Sequence, residues 1–193
     1  RRLEQVLAGK RLLLELGGNG AVVVDEGVDA AAVAAQLAPA AVAGAGQSCS
    51  KAQRIYVHQQ LWEAFRSAFV EAVGALPVGD PSDPATVVGP LIDEATAIRV
   101  DAGLDRAVAA GATVLRRGLR QGALLPPAIL TDVPEEDPLQ CEEVFAPVTV
   151  LTRVDSFEEG LDRAAATRFG LRASAYSRDQ RHLRLAETRL RAG

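Results

Sequence analysis

Methionine is absent from this 193-residue chain, which begins with arginine, and lysine, histidine and cysteine occur only twice each. Because translation starts at methionine, we expect that a preceding part has been removed or is not seen. Two cysteines are too few for a disulfide framework and favour a reducing cytoplasm. Two histidines cannot build a histidine-rich metal site, and the cysteines do not stand at metal-ligand spacing, so we expect no bound metal.

Long apolar runs and excess positive charge are also missing. No run approaches the ~18–20 apolar residues of a membrane span, and no signal-peptide pattern opens the chain. The net charge of −4 argues against a nucleic acid or an anionic membrane as a partner. The composition, 48% hydrophobic and 24% charged, is that of an ordinary globular domain with a core of its own.

Strand and helix patterns alternate along the chain. Short apolar runs predict strands at 12–16, 21–24, 54–58, 113–115, 128–130, 148–154 and 173–177, the first of them buried and ending at a glycine pair. Helical spacing or capping residues predict helices at 29–44, 61–76, 93–110, 156–167 and from 179 onward. Pro39 should kink or split the first helix. The alternation predicts an α/β fold with an open, mostly parallel sheet flanked by helices.

Cys49 is the first candidate for chemistry, in the segment Gly46-Gln47-Ser48-Cys49. A thiolate attacks carbonyl carbon well, and a position just after a glycine loop can supply backbone N–H groups to it. A lone cysteine is more often a small buried apolar residue, and this is our reading of Cys141.

Glu15 interrupts an apolar run just before Gly17-Gly18. A carboxylate at the end of a buried strand suits a general base, because burial raises the pKa of a carboxyl group. The alternative is a glutamate that pairs with an arginine or faces solvent.

Glu143 and Phe145 form the third group, in Glu142-Glu143-Val144-Phe145-Ala146-Pro147. A carboxylate can accept hydrogen bonds from ribose hydroxyls, and an aromatic ring can pack on a flat heterocycle. The alternative is a solvated pair of glutamates before a core phenylalanine.

Taken together and in this order, the three groups resemble the aldehyde dehydrogenase superfamily. The resemblance spans nearly the whole chain and includes three further segments: Gly89-Pro90-Leu91-Ile92, Leu125-Pro126-Pro127-Ala128-Ile129-Leu130 and Phe169-Gly170-Leu171. It implies that residues 1–193 are the thiol-bearing catalytic domain. The family's N-terminal coenzyme-binding domain and C-terminal oligomerisation segment would lie outside it.

The resemblance also implies roles. Cys49 would attack an aldehyde and carry the acyl group as a thioester, and Glu15 would activate the water that releases a carboxylic acid. Glu143, Phe145 and Leu16 would contact NAD or NADP, with Glu143 at the nicotinamide-side ribose. The family usually forms homodimers or homotetramers. Two other readings stay open, a cofactor-free thiol esterase and a non-catalytic module.

Overall fold

The structure, a computed structural model, describes residues 2–192, with side chains from residue 4 onward. Six strands form one sheet: β1 (Ala21–Val24), β2 (Arg54–His58), β3 (Thr113–Arg116), β4 (Ala128–Thr131), β5 (Val148–Val154) and β6 (Ala173–Tyr176). Their order across the sheet is β3-β4-β5-β2-β1-β6, and only the edge strand β3 is antiparallel to its neighbour. The predicted α/β class with an open, mostly parallel sheet is confirmed.

The described residues also form seven α-helices: α1 (Arg2–Val6), α2 (Ala30–Val42), α3 (Trp62–Gly74), α4 (Glu94–Ala109), α5 (Pro138–Cys141), α6 (Phe157–Ala165) and α7 (Gln180–Arg189). Asp29 and Ser156 cap α2 and α6, each by accepting backbone N–H groups of the first turn. The sequence did not predict α1 and α5, because five and four residues are too few to show helical spacing. Within residues 2–192, no helix is long and apolar enough to cross a membrane.

The central strands are buried on both faces, which is why they read as continuous apolar runs. Side chains alternate along each strand, so Val22 and Ile55 face a larger core with α2 and α3. Val23 and Tyr56 face a smaller core with α6 and α7. Two covered faces leave only the ends of the strands open for a functional site.

The predicted buried strand at 12–16 is wrong. Residues 11–16 are exposed and have no sheet partner, with Leu13 89% and Leu16 81% exposed. The strand that follows it in the chain, β1, pairs with β2 on one side and β6 on the other. Leucine also favours strands less than valine or isoleucine does, so an apolar run of leucines indicates burial more than it indicates β-structure.

Pro39 does not split the helix, because α2 continues as one helix through that residue to Val42. The chain turns only afterwards, in a 3₁₀ segment (Ala43–Gly46) where Gly44 and Ala45 have left-handed φ values of 61° and 58°. This turn redirects the chain toward Cys49, as the glycines predicted.

Candidate active site

The segments that carry the candidate residues lie where three strands of the sheet begin. Residues 17–20 precede β1, residues 46–53 precede β2 and residues 142–147 precede β5. These three strands are parallel neighbours in the order β5-β2-β1. Their amino-terminal ends therefore meet, and this brings together three segments that are far apart in sequence.

Cys49 lies in a turn between α2 and β2 and is partly buried. The turn is closed by the Lys51 N–H, which donates to the Ser48 carbonyl at 3.3 Å. The Ser48 and Ser50 hydroxyls flank the cysteine and lie 3.1 Å apart. Among the residues that the structure describes, none accepts the Cys49 backbone N–H. That donor is available to a developing oxyanion.

The glycine pair is required by close backbone approach. A Cβ on Gly18 would lie 2.2 Å from the Cys49 carbonyl oxygen, and Gly17 has a φ of +120°. Only glycine fits both positions, since a side chain at Gly18 would clash with Cys49 and a side chain at Gly17 would strain the backbone. The glycine turn therefore packs directly on the cysteine loop.

Glu143 completes this group of three segments. Its Oε1 accepts the Gly18 N–H at 2.9 Å, and its Oε2 is 2.6 Å from the position of a Cβ on Gly17. The carboxylate is partly exposed and sits over the glycine pair. A carboxylate, a thiol loop and a glycine turn are thus in contact around Gly18.

A buried polar network holds the Glu143 loop in place. Asn19 donates to the carbonyls of Gln140 and Glu142 at 2.8 and 3.1 Å. Its Oδ1 accepts from Nε of Arg54 at 2.6 Å. Gln53 donates to the Glu142 carbonyl at 2.7 Å. Because these side chains are buried and their bonds are made, hydrogen bonding fixes the loop position together with the apolar packing of Val144 and Ala146.

Lys51 is a buried cation two residues after the cysteine. It is 5% exposed, and its Nζ donates to the Val148 carbonyl at 2.6 Å. Burial lowers the pKa of the Lys51 ammonium to about 7, and the negative charge of Glu143 opposes that shift. An ammonium with that pKa changes its charge near neutral pH.

The other predicted site residues lie outside this contact group. Glu15 and Leu16 are exposed on the extended segment before the glycines, so the expectation that Glu15 is buried in a strand is wrong. Phe145 is 47% exposed on the same loop as Glu143. Glu15 lies two residues from Gly17, which keeps its carboxylate on the segment that leads into the site.

Cys141 is exposed at the end of α5, so its predicted burial is also wrong. Its thiol donates to the Glu136 carbonyl at 3.4 Å. Any difference in reactivity between the two thiols must therefore be measured against a more accessible Cys141.

Lys51, Asn19, Gln53 and Arg54 were missed in the sequence, although each carried a signal. Lys51 is one of only two lysines and follows the cysteine loop. Arg54 opens a strand of apolar and aromatic residues, where a charged side chain requires buried partners.

The residues present fit part of a nicotinamide coenzyme. A partly exposed carboxylate at Glu143 and an open ring at Phe145 stand on one loop beside the cysteine. Within the described residues, no three histidine, cysteine or acidic side chains are grouped as metal ligands. The Glu143 carboxylate suits a ribose and the Phe145 ring suits a flat heterocycle, both on the loop that meets the cysteine segment.

The fold and the edge site define an α/β domain with a cysteine loop and a glycine turn at the amino ends of parallel strands. The model of the aldehyde dehydrogenase family matches residues 2–193. The chain therefore belongs to the aldehyde dehydrogenase family. A succinate-semialdehyde dehydrogenase [NADP(+)] of Mycolicibacterium paratuberculosis is 41% identical over 174 residues, which cover 88% of this chain and 37% of the relative.

Solved structures agree with the family assignment. Aldehyde dehydrogenase 21 of Physcomitrella patens, in complex with the reaction product succinate, has a TM-score of 0.89 and 33% identity over 98% of this chain and 40% of that one. An aldehyde dehydrogenase of Mycobacterium tuberculosis complexed with NAD+ has a TM-score of 0.87 and 32% identity over 93% and 38% of the two chains. The chain thus spans about two fifths of the length of these relatives.

Proposed function

We propose that residues 1–193 are the thiol-bearing catalytic part of an NAD(P)-dependent aldehyde dehydrogenase that oxidises an aldehyde to a carboxylic acid. The contact of three distant segments around Gly18 carries the proposal. The Cys49 carbonyl packs on this glycine, and the Glu143 carboxylate accepts its N–H. Family membership agrees with this arrangement.

Cys49 is the proposed nucleophile. Its thiolate adds to the aldehyde carbon, and the carbonyl oxygen becomes an oxyanion beside the Cys49 N–H. After hydride leaves the same carbon, the acyl group remains on sulfur as a thioester. The partly buried position of the thiol supports this role, because Cys49 stays accessible to a substrate.

Glu15 is the proposed general base for the second half of the reaction. Its carboxylate takes a proton from water, which attacks the thioester and releases the acid and the Cys49 thiol. Glu15 is exposed on the segment that leads into Gly17 and Gly18, and Gly18 packs against the Cys49 carbonyl. In the family resemblance, this carboxylate favours release of a free acid over transfer to coenzyme A.

Glu143, Phe145 and Leu16 are the proposed coenzyme contacts. NAD or NADP, when bound, supplies the hydride acceptor. Glu143 accepts hydrogen bonds from ribose hydroxyls, while the exposed Phe145 and Leu16 side chains give apolar surface for the nicotinamide side.

Succinate semialdehyde is the first substrate to test, because relatives of this chain are named for it. The assay follows NADPH or NADH formation with a panel of aldehydes. In protein that carries residues 1–193 together with a coenzyme-binding domain, we expect activity in the wild type, loss in Cys49→Ser and retention in the matched control Cys141→Ser. Glu15→Gln should accumulate an acyl group on Cys49, which intact-protein mass spectrometry detects.

A further assay separates this proposal from the esterase reading. Hydrolysis of p-nitrophenyl acetate without coenzyme, lost in Cys49→Ser and unaccompanied by NAD(P)H formation from any aldehyde, would support the esterase. Absence of both activities, with Cys49 alkylated no faster than Cys141, would leave the non-catalytic module.

A further inference from the structure

The Gln53 side chain forms hydrogen bonds with the two residues that flank Glu143 in the chain. Its Nε2 donates to the Glu142 carbonyl at 2.7 Å, and its Oε1 accepts the Val144 N–H at 2.8 Å. Nε2 also donates to the Leu139 carbonyl at 3.1 Å. The side-chain amide therefore pairs with the backbone on both sides of Glu143, as the backbone of a neighbouring strand would.

The backbone of Gln53 joins the other segments of the site. Gln53 is the last residue of the segment 46–53, which carries Cys49, and its N–H donates to the carbonyl of Gly20 in the glycine segment at 3.0 Å. Its own carbonyl accepts the Val150 N–H at 2.8 Å. The residue is 1% exposed and all of its polar groups have partners. Displacement of its partners would leave buried polar groups without hydrogen bonds, which is costly.

Glu143 lies between the two residues that this amide holds. A rotation of the backbone at Glu143 breaks a bond of Gln53 to Glu142 or to Val144. The Val144 side chain also packs in the core, but apolar packing is non-directional and does not by itself orient a peptide group. The bonds of Gln53 therefore direct the Glu143 side chain to the position where its Oε1 accepts the Gly18 N–H.

We propose that Gln53 is a positioning residue for the coenzyme, whose buried side-chain amide holds the Glu143 carboxylate at its position over Gly18. The inference rests on the proposed function for the role of Glu143 at the coenzyme ribose. It adds a residue of the cysteine segment that sets the affinity for the coenzyme from a buried position, without contacting it.

Gln47, on the other side of Cys49, offers a matched control. Its Nε2 donates to the Pro90 carbonyl at 3.4 Å, and its Oε1 accepts the Ile92 N–H at 3.0 Å. The same side-chain chemistry thus holds a loop that carries no candidate coenzyme contact. Methionine in place of either glutamine keeps a side chain of similar length and removes the amide.

The first experiment measures coenzyme binding by protein that carries residues 1–193 together with a coenzyme-binding domain. In Gln53→Met we expect the Kd for NAD or NADP to rise about 3–10-fold, the effect of about one lost hydrogen bond. The rate of Cys49 alkylation by iodoacetamide without coenzyme should stay at the wild-type value. In Gln47→Met the Kd should be that of the wild type. A Gln53→Met protein that changes the alkylation rate as much as the Kd would make Gln53 a general structural residue and would overturn the inference.

Gln53→Glu adds a pH profile that a loss of packing does not produce. The new carboxyl group would face the Leu139 and Glu142 carbonyls in a buried position, which favours its protonated form. A protonated carboxyl group can donate to one carbonyl and accept the Val144 N–H, as the amide does. We expect the Kd of Gln53→Glu, divided by that of the wild type at the same pH, to approach one as the pH falls. The ratio for Gln53→Met should stay raised at every pH, and a ratio that stays raised throughout for both variants would contradict the inference.

Hydrogen–deuterium exchange at the Gly18 amide separates this inference from the proposed function. That N–H donates to Glu143, so Gln53→Met should speed its exchange without any coenzyme, and Gln47→Met should not. Faster Gly18 exchange in a protein that binds no coenzyme would contradict the proposed function alone. Unchanged Gly18 exchange in Gln53→Met would overturn this inference, whatever the activity of the enzyme.

Discussion

The backbone N–H of Gly18 donates to Oε1 of Glu143 at 2.9 Å, although the two residues are 125 positions apart. The Cys49 carbonyl packs against the same glycine. One residue without a side chain thus stands between the candidate nucleophile and the candidate coenzyme contact. Substitutions around it should separate effects on the site from effects on the fold.

Gly18→Ala tests the close approach at the centre of the site. The new Cβ would lie 2.2 Å from the Cys49 carbonyl oxygen, which is backbone and has to move. We expect the free energy of unfolding to fall by about 1–3 kcal/mol, together with loss of any Cys49-dependent activity. Urea denaturation measures the first quantity.

Gly79→Ala is the matched control, because its Cβ would meet only Thr86 Oγ1 at 3.6 Å, an ordinary contact. Its free energy of unfolding should stay within about 0.5 kcal/mol of the wild type. Equal stability of the two variants would mean that the packing of Gly18 on the cysteine loop is not rigid.

Asn19→Ala removes the side-chain hydrogen bonds between the glycine segment and the Glu143 loop, while the bond from the Gly18 N–H to Glu143 remains. The substitution leaves Nε of the buried Arg54 and the carbonyls of Gln140 and Glu142 without this partner. Unpaired buried groups should lower the free energy of unfolding by about 2–3 kcal/mol in urea denaturation.

Thr149→Val is the control for burial without hydrogen bonding. Its hydroxyl is buried, and no residue in the described part of the chain bonds to it. Its replacement by a methyl group should leave the stability unchanged or raise it by up to about 1 kcal/mol. A loss as large as that of Asn19→Ala would contradict the view that the network around Asn19 is the stabilising element.

His182, which lies beside Asp25 just after the carboxyl-terminal end of β1, should make the free energy of unfolding depend on pH. Its Nδ1 lies 2.7 Å from Oδ2 of Asp25, and its ring stacks on Phe157. The hydrogen bond to Asp25, aided by the charges of Asp25, Glu158 and Asp179, raises the pKa of the imidazole above 6.5 against some desolvation.

Because the folded-state pKa is the higher one, the stabilisation is fully present below the unfolded pKa of about 6.5 and is lost as the pH rises through the folded value. We therefore expect the stability difference between wild type and His182→Gln to be largest in acid and to shrink above neutral pH. The midpoint of thermal unfolding measured across this range checks it. Lost ring stacking alone would give a difference that does not vary with pH.

Lys51 should make the free energy of unfolding rise with pH above neutrality, opposite to the effect of His182. The ammonium titrates at about 7 in the folded chain and near ~10.4 when unfolded. Between these values the unfolded chain holds more protons, so stability rises with pH.

The free energy of unfolding of the wild type minus that of Lys51→Met should therefore rise by roughly 2–4 kcal/mol between about pH 7 and pH 10. Denaturation of both proteins at each pH cancels the other titrating groups. A difference that stays constant over this range would show that Lys51 is not a buried cation.

Local patterns in the sequence were sufficient for much of the fold. Valine-rich runs gave β1 and β5, and the Ser156 and Asp179 signals gave the starts of α6 and α7. These features depend on backbone sterics and on hydrogen bonds between near neighbours, which a short stretch of sequence specifies. The run 12–16 failed because pairing depends on which strands already occupy both sides of β1.

The sequence by itself determined the α/β class, the resemblance to the family and the identity of the candidate residues Cys49, Glu15 and Glu143. Only the tertiary structure decided that Glu143 lies over Gly18, that Lys51 is buried against the Val148 carbonyl and that Glu15 faces solvent. The physical reason is separation along the chain. Side-chain burial and charge pairing arise where the ends of β1, β2 and β5 meet, and no local propensity encodes that meeting point.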